Sequence, residues 1–85
     1  MDTALKLDIE KVTYELRCMA IRSEDYEKDR KRTQEHINKF GMSPDMELGL
    51  AKLELLIERH ELDKKEKRME LMFLYKKSLK NVKQG

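Results

Sequence analysis

The sequence predicts an all-α protein built as one long antiparallel helical hairpin, and three observations carry that expectation. Residues that stop and start helices gather at one place near the midpoint, Phe40-Gly41-Met42-Ser43-Pro44. On both sides of it apolar residues recur with a helical period. The composition, 42% charged and 39% hydrophobic with three glycines and one proline in 85 residues, favours long helices and leaves little for turns. This length predicts one helical domain over residues 1–85. A chain so short covers only a modest fraction of its surface when it folds alone, so self-association or a partner is expected from the outset. The formal net charge of +2 is too small, and the periodicity too regular, for a disordered chain.

The first element is expected over about residues 3–40. Leu5, Ile9, Val12, Leu16, Met19, Ser23, Tyr26, Arg30, Thr33, Ile37 and Phe40 are spaced alternately by four and three, and eight of these eleven are apolar. Such a repeat is the stripe of a helix about 57 Å long packed against a nearly parallel axis. Ser23-Glu24-Asp25 also has the character of a helix N-terminus, so a three-helix arrangement with a break near Ser23 is the alternative.

At the midpoint, Gly41 can take the left-handed conformation that closes a helix, with Met42 touching Ile37 in a Schellman-type cap. Ser43 can cap the next helix and Pro44 suits its first position. Asp45 and Glu47 then place negative charge in the first turn of a second helix over about 44–82, and Lys76, Lys77, Lys80 and Lys83 place positive charge near its end, as the helix dipole favours. Its apolar positions include Met46, Leu48, Leu50, Leu53, Leu55, Leu56, Ile57, Leu62, Met69, Leu71 to Leu74, Leu79 and Val82.

Because so short a loop joins them, the helices should run antiparallel, with residues whose numbers sum to about 84 facing each other. This sets Leu5 near Leu79, Ile9 near Tyr75, Val12 near Met72, Leu16 near Met69, and Ile37 near Met46 or Leu48. Arg30 falls opposite Glu54, which suggests an ion pair on the seam.

The end remote from the loop is apolar on more than one face. Ala4, Leu7, Tyr14, Cys18 and Ile21 form a second stripe opposite the seam, interrupted by Lys11. Leu71 to Tyr75 wraps more than half of the second helix and is expected beside that stripe. An apolar patch of this kind marks an interface. The candidate partner-binding residues are therefore Leu7, Tyr14, Cys18, Ile21, Leu71, Phe73, Leu74 and Tyr75. Two hairpins dimerising into a four-helix bundle would bury them, and so would a different protein; the two are compatible if the dimer leaves part of the patch open. Leu50 to Ile57, facing the thin stripe of residues 24–39, form a second candidate contact region.

Other function classes find less support. Lys28 to Arg32 and Lys64 to Arg68 are locally basic, but the first run is embedded among acids, and no nucleic-acid-binding motif accompanies either, so direct nucleic-acid binding is the lesser alternative. His36 and His60 are expected at different heights of the hairpin, and Thr33 and Ile57 stand where a di-iron bundle would place glutamates, so no metal site is expected. Without a phosphate loop or nucleophile elbow, neither a cofactor nor an enzyme activity is expected. Cys18, the single cysteine, has no internal disulfide partner, and neither a signal segment nor a membrane span is present, which makes a cytoplasmic location the expectation.

Ile37 to His60, with its Phe40-Gly41 turn, Ser43-Pro44 and Leu53-Glu54-Leu55-Leu56-Ile57, resembles the helical hairpin of the small sporulation-regulatory aspartyl phosphatases. That family's signature is Ser-Gln-Glu-Leu-Asp. The matching Leu50-Ala51-Lys52-Leu53-Glu54 keeps the leucine and an acid but lacks the serine and glutamine. The resemblance implies a hairpin and does not extend phosphatase activity to Glu54. The functional expectation is a small regulator or inhibitor that docks an apolar helical face on another protein. A structural self-associating bundle and a nucleic-acid-associated accessory protein are the alternatives.

Overall fold

A computed structural model describes residues 2–84, with side chains for 2–80, so the expected contributions of Val82 and Lys83 lie outside the described side chains. Two helices make up the described residues: α1, Thr3–Phe40, and α2, Pro44–Gln84, packed against each other as an antiparallel hairpin. α1 runs unbroken through Ser23, so the three-helix alternative does not hold.

The ends of the elements follow from their residues. Asp2 caps α1 by accepting from the Ala4 N–H at 3.2 Å, and Ser43 caps α2 by accepting from the Met46 N–H at 3.2 Å. Pro44 takes the first helical position, with Asp45 and Glu47 in the first turn. Gly41 closes α1 with φ 83° and ψ 169°, donating its N–H to the Ile37 carbonyl at 2.8 Å. The positive φ was expected, but the extended ψ departs from the left-handed helical form, and this single bond replaces the paired bonds of a Schellman cap.

The result is a rod measuring 65 × 15 × 15 Å. Its radius of gyration is 19.2 Å, against about 12 Å for a compact domain of this length. A two-helix rod encloses little. Leu5, Ile9 and Val12 are the buried apolar residues of the described chain, and they lie at the end remote from the loop.

On α1 the repeat positions Leu5, Ile9, Val12, Leu16, Met19, Ser23, Tyr26, Thr33 and Ile37 are buried or half-buried, with Thr13 and Glu15 half-buried beside them, whereas Arg30 and Phe40, also expected on the stripe, are exposed, Phe40 at 75%. On α2 they are Met46, Leu50, Leu53, Ile57, His60, Lys64, Lys67, Leu71, Leu74 and Ser78, again spaced by four and three. The two series interlock in antiparallel order when their numbers sum to about 83. That is one residue from the expected sum, and one residue on a helix is a rotation of about 100°. Leu79, Tyr75, Met72 and Met69, expected on the seam, are accordingly exposed, and Ser78, Leu74, Leu71 and Lys67 take their places.

Several polar residues on the seam find partners. His60 is buried, with Nε2 2.8 Å from the Met19 carbonyl, which makes Nε2 the protonated ring nitrogen. The Tyr26 ring meets the His60 ring edge-on at 5.4 Å between centroids. Arg30 bridges to Glu54 at 3.3 Å, as the sequence suggested. Lys67 reaches across from α2 to Glu15 and also pairs with Glu70 on its own helix. Ser23 does not: its Oγ is buried and has no hydrogen-bond partner.

Candidate functional site

Two helices side by side make a slab with two broad faces and two long outer edges, one per helix. The seam consumes one stripe of each helix, so residues midway between seam positions point outward along the edges. On α1 these are Leu7, Tyr14 and Ile21, one every seven residues, with Ala4 and Cys18 alongside. All five are exposed, Tyr14 at 68%. The expected second stripe on α1 is therefore present and faces away from α2.

The other candidates separate. Leu71 and Leu74 sit half-buried on the seam facing α1, so they are core residues of the hairpin rather than parts of an open patch. Tyr75 is exposed and comes to Tyr14 across a shallow groove also lined by Ile9, Glu10, Thr13 and Arg17 on one broad face. Phe73 is exposed as well, but its position on α2 lies toward the opposite broad face, where Asp8, Glu15, Lys67 and Glu70 surround the seam. The expected single patch is thus an α1 edge continued by Tyr75, with Phe73 apart from it.

Electrostatics along the α1 edge are mild. Tyr14 and Cys18 lie one turn apart, and the hydrogen bond with the Cys18 side chain, then its charge, hold the phenol above its ordinary value of 10.0. A tyrosine offers an apolar ring with one polar tip, which suits an apolar contact.

A second stripe was not evident from the sequence because two of its members, Leu48 and Met69, were expected on the seam. Leu48, Leu55, Leu62 and Met69 also recur every seven residues, and they form the outer edge of α2. Each is more than half exposed, from 57% at Leu48 to 66% at Leu55. Their spacing was the available signal; it became readable only once the seam was assigned to the stripe beside it. In the Leu50 to Ile57 region, Leu50, Leu53 and Ile57 turn to the seam while Leu55 and Leu56 stay outside. A shallow groove there runs over Leu50, Ala51, Leu55 and Ile57 between Glu47, Glu54 and Glu58.

The basic runs are partly neutralised within the chain. Arg30 pairs with Glu27 and Glu54, Arg32 with Asp29, and Lys64 with Glu61 at 2.6 Å. The two histidines are not brought together: His60 lies on the seam, while His36 packs on Phe40 beside the loop with ring centroids 4.8 Å apart. Among the described residues no group of three or more His, Cys, Asp and Glu side chains is placed to hold a metal ion, and no helix is long and apolar enough to cross a membrane.

Comparison of this chain with protein families, with curated proteins and with solved structures finds no match. None of these comparisons supports the resemblance to the sporulation phosphatases, and Glu54 is tied to Arg30.

Proposed function

We propose that this protein is a non-enzymatic, cytoplasmic regulator or inhibitor that works by docking the outer edge of α1 on an amphipathic helix of another protein. The observation that carries the reading is the exposed stripe of Leu7, Tyr14 and Ile21, which repeats every seven residues with Ala4 and Cys18 beside it. A stripe with that period is what a helix presents to a second helix. Glu10 and Arg17 flank it on one side and Lys11 on the other, so the partner helix would carry charges of both signs around an apolar seam. A lone, exposed cysteine accords with a reducing compartment. The pairing of Arg30, Arg32, Lys64 and Lys67 with acids favours a protein partner over nucleic acid.

Photo-crosslinking tests the assignment. A benzophenone side chain at position 14 or 21 should capture the same polypeptide in the native cell, and one at Arg32, on the charged part of α1, should not. The Ile21→Glu substitution should abolish capture at position 14 while leaving the helical circular-dichroism signal unchanged. Undiminished capture in that variant would show that the α1 edge is not the docking face.

A further inference from the structure

The outer edge of α2 is a separate surface, and we propose that its occupant is a second copy of this chain, packed antiparallel with the two-fold axis at Leu62. The inference does not rest on the α1 reading. It begins from area: the chain exposes 7138 Å², whereas a compact monomer of 10.2 kDa exposes about 5,300 Å². The rod thus carries about 1,800 Å² of excess surface, while one side of a standard stable interface needs about 800 Å².

Charge selects both the partner and the register. The seven-residue spacing of Leu48, Leu55, Leu62 and Met69 permits several antiparallel alignments of α2 on itself, and symmetry makes corresponding flanks of the two copies face each other. Centred between Leu55 and Leu62, the stripe would set Glu58 against Glu58 of the second copy and Arg59 against its counterpart. Centred on Leu55, it would set Lys52 against Arg59. Centred on Leu62, every one of these conflicts disappears. Leu62 then meets itself and Leu55 meets Met69, with Ala51 near Met72 beside them. Glu58 faces Lys65 on one flank, and Arg59 faces Glu66 on the other, each twice by symmetry.

All four of these charged residues are exposed, and none makes an ion pair within the chain among the described residues, whereas Arg30, Arg32, Lys64 and Lys67 do. The outer edge of α2 is also more consistently apolar than its seam, which contains His60, Lys64, Lys67 and Ser78. In the resulting assembly the α1 edges lie on the outside and stay open.

Sedimentation equilibrium of the full chain over about a hundredfold concentration range reads the association directly. The wild type should be a dimer. Glu58→Lys alone and Lys65→Glu alone should each weaken it about tenfold or more, because two attractions become two repulsions, and the combined Glu58→Lys/Lys65→Glu chain should recover wild-type association. In a Cys18→Ser background, Leu62→Cys should form a disulfide-linked dimer on mild oxidation, and Leu48→Cys should not. A helical wild type that remains monomeric throughout overturns the proposal. A dimer whose affinity ignores both charge reversals places the interface elsewhere, with the α1 edge the next surface to examine.

Discussion

Two seam residues illustrate how a thin core handles polar atoms. Ser23 lies in the middle of α1, and its Oγ is buried without a partner. A hydroxyl in that state has lost water and gained nothing, and alanine is the better helix former. Ser23→Ala should therefore raise the unfolding free energy by about 1 kcal/mol in urea titration; a drop would mean that the hydroxyl is satisfied in solution. Glu15 and Lys67 behave in the opposite way, since each gains a partner on folding. The hydrogen bond from Lys67, assisted by charge and opposed by partial burial, lowers Glu15 below its ordinary value of 4.5. The bonds to Glu15 and Glu70 raise Lys67 above 10.5. A depressed carboxylate contributes stability that is present above 4.5 and lost as pH falls through the lowered value; a raised ammonium contributes stability present below 10.5 and lost as pH climbs through the raised one. Stability should form a plateau between these limits and decline at both ends. Lys67→Met should reduce the declines, and an unchanged acid limb in that variant would disconnect it from this pair.

The element boundaries were legible because they rest on local chemistry. Gly41, Ser43 and Pro44 act within one turn of their own positions, and the structure places α1 and α2 within two residues of the expected bounds. The α1 seam was legible for a related reason: its large apolar residues between Leu5 and Met19 repeat by four and three with few competitors. The α2 seam was not. That helix carries apolar residues on several faces, and its true seam includes His60, Lys64, Lys67 and Ser78, which a hydropathy pattern counts as surface. Choosing among its stripes depended on a register error of one residue, and on a helix that error turns the whole face. The same misassignment put Leu71 and Leu74 on the candidate site and hid the stripe through Leu62. At the loop, the extended ψ of Gly41 leads to a prediction. A Cβ at this position would meet open space, so the cost of Gly41→Ala is conformational. With φ 83° and ψ 169° the residue occupies a region used almost solely by glycine, and the substitution should cost about 1 to 3 kcal/mol. Equal denaturation midpoints for the two chains would show that the loop relaxes to another form.

At the scale of the molecule, a hairpin in which only Leu5, Ile9 and Val12 are buried among the apolar residues described has little to set against the entropy of ordering two long helices. No side chain in the described chain is fully buried. Meanwhile Leu48, Leu55, Leu62 and Met69 remain in water on one edge, and Leu7, Tyr14 and Ile21 on the other. A rod of this kind gains more by covering an edge than by improving its seam, so its folding should be linked to association. Unfolding of a dimer to two separate chains depends on concentration: each tenfold dilution lowers the apparent stability by about 1.4 kcal/mol per dimer. The midpoint of thermal unfolding should therefore rise as the protein is concentrated. Leu62→Glu should remove that dependence and leave a lower, concentration-independent midpoint, whereas Tyr14→Glu, on the opposite edge, should keep it. A wild-type midpoint that does not move with concentration would mean that the seam alone holds the hairpin, and that the polar residues within it contribute more than their exposure suggests.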